Sequence, residues 1–344
     1  MLQIDGSHGE GSGQLLRTVL SLAAITRRPV RIVNVRARRD KPGLAPQHLA
    51  AVRAVQAICG ASVQGAALRS TELSFSPGAI RGGEYRFDIG TAGSVTLLLQ
   101  ALLPAMAASG ERFHAVVTGG TDVRAAPPAD YLREVLLALL ARMGLQVRFQ
   151  VRRRGYYPRG GGEVELAIRA ARPRALSLAT SAEFRQVRGL SHVADLPEHI
   201  ATRMRSAALD AFGPVPGLDT EISTAVLGRD AAIGPGGAIV AWAQAGQTVL
   251  GAGRVAERGV PAEALGQAVG AELSQDRAAG VTLDVHAADQ LPVYLALAGG
   301  ESSFTTRVVS SHAQTAMWLI EQFLPVRFEA VPDGPRYRVT ARPR

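Results

Sequence analysis

His312 closes the triplet Ser310-Ser311-His312, directly before a run, Ala313 to Phe323, in which Met317, Ile320 and Phe323 recur at helical spacing. Serine caps helix amino termini, so the spacing predicts His312 in the first helical turn, where the dipole disfavours imidazolium and keeps the ring neutral. A neutral imidazole can attack phosphorus and form a phosphoramidate, a covalent intermediate that divides one hard transfer into easier steps. The same position also suits a histidine that only covers the helix end. Asp289, in His286-Ala287-Ala288-Asp289-Gln290, can orient such a ring or bind metal, or be an ordinary exposed acid. Glu10 stands among the small residues of Gly9-Glu10-Gly11-Ser12-Gly13. There it is either a helix-capping acid or the holder of a divalent cation that bridges phosphate oxygens. Arg36, Arg38, Arg39 and Lys41 put four cations into six residues, and Arg17 lies one turn into the helix that follows the glycines. Cations this dense repel one another unless polyphosphate or RNA neutralises them, although a solvated charged loop has the same composition.

These residues need elements to hold them, and one pattern occurs three times: a loop of small residues opens into an apolar-faced helix. Gly9 to Gly13 leads into Gln14–Thr26, with Leu15, Leu16, Val19, Leu20, Leu22 and Ala23 on one side. Gly90-Thr91-Ala92-Gly93-Ser94 leads into Val95–Ser109, and Ser310 to His312 into Ala313–Phe323. The recurrence suggests internal repeats, each presenting a helix amino terminus whose free N–H groups suit phosphate. Strand-like runs lie between them at Val30–Val35, Glu84–Ile89, Phe113–Thr118, Gln146–Val151, Glu163–Arg169 and Val281–Val285. Strands alternate with helices, so the fold class is α/β. A composition shift from Arg185 to about Leu273, without the loop motif, points to a smaller inserted domain over residues 185–276, between 1–184 and 277–344.

Composition excludes several classes. With 344 residues, 47% of them hydrophobic, and a mean hydropathy of +0.10, the chain can bury a substantial core. Its longest apolar stretch, Val95 to Ala108, is interrupted by Gln100 and Pro104 and is shorter than a bilayer requires. No export signal precedes Asp5, so the expected location is the cytoplasm. The single cysteine, Cys59, excludes an internal disulfide and a multi-cysteine zinc site, and its apolar neighbours predict a buried thiol. A net charge of +9 and a pI near 10.6 favour polyanionic partners. Of 38 basic residues only Lys41 is lysine, the other 37 being arginine, the better bidentate partner for phosphate. Lys41 sits in Lys41-Pro42-Gly43-Leu44, which fits neither a phosphate-binding loop ending Gly-Lys-Ser/Thr nor the Lys-x-Asp-Gly signature of lysine-using nucleotidyl transferases.

The segment Arg154-Gly155-Tyr156-Tyr157-Pro158-Arg159-Gly160-Gly161-Gly162-Glu163-Val164 resembles the signature of the RNA 3'-terminal phosphate cyclase family, a basic residue, Gly-x-x-Pro-x-Gly-Gly-Gly and a nearby aliphatic residue. Further matches are Asp5-Gly6 with Gly9-Glu10-Gly11 and Gly13-Gln14, Lys41-Pro42-Gly43-Leu44 with Gln47-His48-Leu49, and Gly119-Gly120-Thr121-Asp122 with Pro127-Pro128-Ala129-Asp130. Ala288-Asp289-Gln290-Leu291, Ser311-His312 and Phe323-Leu324-Pro325-Val326-Arg327-Phe328 complete the resemblance, which is weak only within Arg185 to Leu273.

The resemblance implies a fold similar to enolpyruvyl transferases, a large domain of three βαβαββ repeats with a smaller α/β domain inserted near the third. It implies ATP-dependent conversion of an RNA 3'-phosphate into a 2',3'-cyclic phosphate. His312 would be adenylylated, with Asp289 and Arg17 beside it at the catalytic centre and Glu10 holding a divalent metal, Mg or Mn. Arg17, Arg36 and Arg39 would hold phosphates of ATP or of the RNA end, while Gln47 and Gln100 map to polar active-site positions. Pro128 and Gln290 resemble residues around the adenine; where some relatives have a tyrosine shortly before Ala-Asp-Gln, this chain has His286. The rival readings are a non-catalytic relative used in ribosome assembly, an enolpyruvyl transferase, disfavoured by the single lysine, and a plain basic RNA-binding module.

Overall fold

The computed structural model describes residues 1–169, 171–178 and 183–344. Alternating strands and helices build four sheets. In the first, Leu2–Asp5 and Val30–Val33 run parallel, joined by helix Gly13–Thr26. After helix Pro46–Cys59 the chain returns as Ser62–Gln64 and Leu73–Ser76, an antiparallel pair whose second strand joins Val30–Val33. The spatial order is therefore first, second, fourth, third. The second sheet has the same order in Gly83–Asp88, Phe113–Gly119, Gly162–Arg169 and Gln146–Gly155, with the short strand Ala232–Ile233 added at its edge. Helix Val95–Ser109 lies between its first two strands, and a helical segment from Ala129 to Arg142, widened to a π turn over Leu132–Leu136, follows the second. The third sheet is antiparallel, Ser302–Thr306, Arg336–Pro343 and Val326–Asp333, with helix Ser311–Phe323 in the first connection.

Periodicity explains the layers. Gly162–Arg169 alternates, sending Val164, Leu166 and Ile168 into the core and leaving Glu163 and Glu165 on the wetter face. Helix Gly13–Thr26 buries Leu15, Leu16, Val19, Leu20, Leu22 and Ala23 and packs on both Val95–Ser109 and Ser311–Phe323. The three helices that open from the small-residue loops thus share one core. Val95–Ser109 is apolar nearly all round because protein surrounds it. Among the described residues no helix is long and apolar enough to cross a membrane. Cys59 is buried and free, and burial pushes its thiol up to about 11.

The fourth sheet orders Asp219–Leu227, Gln186–Ala194, Gly236–Ala245 and Thr248–Val255, and helices Glu198–Phe212 and Ala262–Ala278 cover it. Its apolar core, from Val187 to Val281, is separate from the main one. Two expectations need correction. The apolar run Val281–Val285 forms no strand: Leu283 makes a single bridge to Val249, and a helix, Val285–Gln290, begins where Asp284 accepts the Ala287 N–H at 2.9 Å. A buried N-cap carboxylate overrides the β-branched pattern. The third loop also ends earlier than expected, since the last of the three helices starts at Ser311 rather than Ala313.

The glycine-rich signature closes a buried charge cluster. Arg154 reaches Asp122 at 3.0 Å and Asp130 at 2.7 Å, and all three are almost wholly inaccessible. Burial disfavours the Arg154 cation, but the two carboxylates more than offset that and hold its pKa above the usual guanidinium value. His192, from the fourth sheet, lies 4.0 Å from each carboxylate, and burial, reinforced by Arg154, depresses its pKa to about 4. Arg133 also reaches Asp130, at 2.9 Å, but removing Arg154 leaves the buried Asp122 carboxylate without a cation, so Arg154→Ala should cost about 3–5 kcal/mol. Denaturant midpoints would show this against Arg152→Ala, which breaks a half-exposed pair with Glu165 and should cost far less.

Candidate active site

Two carboxylates hold the amino terminus of helix Ser311–Phe323. Ser310 caps it, its Oγ accepting the Ala313 N–H at 3.0 Å and donating to Asp289 Oδ1. Ser311 Oγ donates to Glu10 Oε1, and His312 Nδ1 lies 3.1 Å from Glu10 Oε2. With an Nδ1–H directed at that carboxylate, the lone pair resides on Nε2. Gln14 Nε2 adds contacts at 3.5 Å to the carbonyls of Asp289 and His312. The glycine loop can sit this close because Gly9 has a φ of +60° and a Cβ there would overlap Thr315 Oγ1. Next to Gly9 in the chain, the His8 ring stacks on Trp318, centroids 3.7 Å apart and planes inclined by 16°. Arg38 donates to the Gly9 carbonyl at 2.7 Å, and Arg39 lies 3.8 Å from Glu10.

His312 lines a cleft of about 560 Å3, whose walls come from Gln14, Arg17 and Gln100, from Ala125 to Pro128 with Tyr131, from Gly253 to Val255, and from His286, Asp289 and Gln290. Arg17 is its most informative residue. The guanidinium is buried, no carboxylate among the described residues pairs with it, and its Nε has no hydrogen-bond partner. Burial alone lowers its pKa to about 10. Its neighbour is His48, whose ring occupies the space that a Gly13 side chain would fill. Burial, followed by the charges of Arg17 and Arg36, depresses His48 to about 3, so the ring is neutral, with Nδ1 accepting the Ala45 N–H at 3.2 Å. A buried cation beside a neutral ring, facing an open cleft, has the charge and the access that an anion requires. Inward, Gln14, Arg17, Ser21 and Gln100 border a chamber of about 40 Å3, water-sized, where Gln14 Oε1 and Ser21 Oγ also lack protein partners.

Asp289 is mostly buried, and burial raises its pKa, partly countered by the Ser310 hydroxyl and His312. Gln100 donates to Gln290 at 2.6 Å, and Gln290 donates to the His286 carbonyl at 2.9 Å. Outside the lining, Glu272 accepts from Arg254 at 2.7 Å and approaches His286 Nε2 at 3.1 Å, both of them cleft-lining residues. Glu272 is the main reason that the His286 pKa rises to about 9, so the cleft carries an imidazolium at neutral pH. Tyr131 meets His286 edge-on at 6.1 Å and donates to Asp284 at 2.6 Å, while the other oxygen of Asp284 accepts the Gly251 N–H at 3.0 Å.

Comparison with known proteins fits this arrangement. A family model described as RNA 3'-terminal phosphate cyclase matches residues 8–330. The chain belongs to the RNA 3'-terminal phosphate cyclase family. Curated proteins of that name resemble it over nearly their whole lengths. The one from Nitrosospira multiformis is 52% identical over 100% of this chain and 97% of its own. That from Methanopyrus kandleri is 46% identical over 96% and 95%, and that from Pyrobaculum neutrophilum 43% over 98% and 96%.

Of the residues that the cyclase resemblance points to, His312, Asp289, Arg17, Gln100, Pro128 and Gln290 line one cleft, Glu10 lies beside His312, and Arg39 lies beside Glu10. Arg36 does not line the cleft: its Nη1 donates to the Lys41 and Gly43 carbonyls at 3.0 and 2.8 Å, so it shapes the basic loop. Gln47 packs near Gly93 in the second glycine loop, also outside the lining. Sequence spacing did not single out Arg254 or Glu272, which come from the region of weak resemblance. Nor did it assign roles to Gln14 or His48, although both stand inside matched motifs. No group of three or more metal-ligating side chains occurs among the described residues. A divalent ion beside phosphate needs only one or two protein oxygens, with phosphates and water completing its shell, and the half-exposed Glu10 carboxylate suits that.

The Glu272–His286 pair gives a direct test. NMR titration of the His286 ring should give a midpoint near 9, the imidazolium being lost as pH rises through that value, and Glu272→Gln should lower the midpoint by more than one unit. A midpoint near 6.5 in the wild type would show that the pair is not formed.

Proposed function

We propose that this chain converts RNA 3'-terminal phosphates to 2',3'-cyclic phosphates at the expense of ATP, through AMP bound to His312. The reading is carried by one juxtaposition: a histidine whose Nδ1 is engaged by Glu10 opens, at a helix amino terminus, onto a cleft containing the unpaired buried cation Arg17. Nε2 of His312 attacks the α-phosphorus of ATP and pyrophosphate leaves, Glu10 orienting the ring and stabilising the charge it gains. Arg17, with Arg39 near Glu10, offsets the charge on phosphate oxygens. A divalent cation held through Glu10 would supply further charge neutralisation at those oxygens. An oxygen of the RNA 3'-phosphate then takes the AMP, freeing His312. The neighbouring 2'-hydroxyl attacks the activated phosphorus, loses its proton and expels AMP, a closure favoured by its high effective concentration. Gln290, Pro128 and His286 are assigned to the nucleoside end of the cleft.

We also read the first two sheets as βαβαββ repeats and the third as a repeat that has lost its first strand. Residues 185–276 are read as a smaller domain inserted before the third repeat, contributing Arg254 to the cleft and Glu272 to the support of Arg254 and His286.

Incubation with α-labelled ATP and Mg or Mn should leave acid-labile, alkali-stable label on the wild type and none on His312→Ala. Label retained by His312→Ala would overturn the assignment, and RNA binding with no label on the wild type would favour a binding-only relative. Arg17→Met should lower the labelling rate by about tenfold to a thousandfold, as loss of a preorganised charge does. An RNA ending in a 2'-deoxynucleotide 3'-phosphate should be adenylylated and accumulate without cyclising, and a cyclic product from that end would refute ring closure by the 2'-hydroxyl.

A further inference from the structure

The His8–Trp318 stack does not line the cleft, and the reaction above gives it no part. From its geometry we infer that His8, braced from beneath by Trp318, is a stacking platform for a base of the RNA strand as it leaves the active site. The inference rests on the proposed RNA substrate. His8 is exposed, while Trp318 beneath it is half-buried, so the free face of the imidazole is turned to solvent and its plane is fixed by the indole. A planar ring held by a rigid neighbour is what single-stranded bases stack on, and histidine is among the side chains used. Trp318 is six residues beyond His312 on the same helix, roughly 9 Å of helical rise, so the platform serves a base near the reacting end rather than the reacting nucleotide itself.

The surroundings suit a polyanion. Arg38 and Arg39 approach the same glycine loop, through the Gly9 carbonyl and Glu10, and the exposed Lys41 follows them. Among the described residues neither Arg38 nor Lys41 forms an ion pair within 4.0 Å; Arg38 spends one N–H group on the Gly9 carbonyl, which leaves its charge and remaining donors for phosphates of the strand. Glu10 ties this loop to His312, which joins platform and nucleophile through three consecutive residues, His8, Gly9 and Glu10. An aromatic surface beside unpaired cations is the usual arrangement for gripping a single strand without reading its sequence.

The test is equilibrium binding of 3'-phosphorylated RNA oligonucleotides at fixed salt, each intact or lacking one base within its last four nucleotides. His8→Ala should weaken binding of the intact oligonucleotide about fivefold to 150-fold, the range for one stacked base, and His8→Phe should restore it. Removing the stacked base should cost the wild type that same factor and His8→Ala nothing further. Equal affinity of wild type and His8→Ala, a base-removal penalty that persists in His8→Ala, or failure of His8→Phe to restore binding would each overturn the platform. Labelling with ATP, run in parallel, separates the two readings: an unlabelled wild type sinks the catalytic assignment, whereas a labelled His8→Ala with unimpaired RNA affinity sinks only the platform.

Discussion

Everything at this site depends on the amino terminus of one helix being held between carboxylates from distant parts of the chain. Glu10 engages Ser311 and His312, while Asp289 engages Ser310, the residue that caps the helix. The cap fixes where the first turn begins, the turn fixes where the imidazole projects, and Glu10 decides which ring nitrogen carries the lone pair. A helix end positioned only by packing would leave the ring free to rotate about two torsions. Here both flanking serines are committed, and rotation of the ring would break its contact with Glu10.

Two buried guanidiniums show how charge placement separates structure from chemistry. Arg154 has Asp122 and Asp130 within 3.0 Å and Arg133 reaches Asp130 at 2.9 Å, so two cations meet two carboxylates in a cluster that joins the signature loop to the Ala129–Arg142 helical region. Arg17 is comparably buried yet has no such partner among the described residues. A folded chain tolerates an uncompensated cation of this kind where a ligand completes it. His48, held neutral beside Arg17, avoids adding a second charge that would worsen the imbalance.

Much of the frame was legible because it follows from local periodicity. Val95–Ser109 has the bounds that its apolar pattern indicates, and the alternation in Gly162–Arg169 identifies its buried face. The strand expected over Val281–Val285 was misleading because β-branched residues there serve a buried turn: Thr282 hydrogen-bonds Thr305, and Asp284 starts a helix. At the site, motif residues with unusual surroundings, such as Glu10 among glycines and His312 behind two serines, were readable. Glu272 and Arg254 were not, since an acid on a helix and an arginine on a strand are ordinary until folding brings them to His286. The absence of a partner for Arg17 is likewise a property of three-dimensional burial that no local pattern carries.

The contact between Glu10 and Ser311 spans 301 residues of chain. A polypeptide emerging from the ribosome therefore presents its acidic loop long before the imidazole exists, and the two meet only after the helix that carries Ser311 has been made. A chain that has not yet made that helix has no imidazole for Glu10 to orient, so the site is completed only when the helix docks.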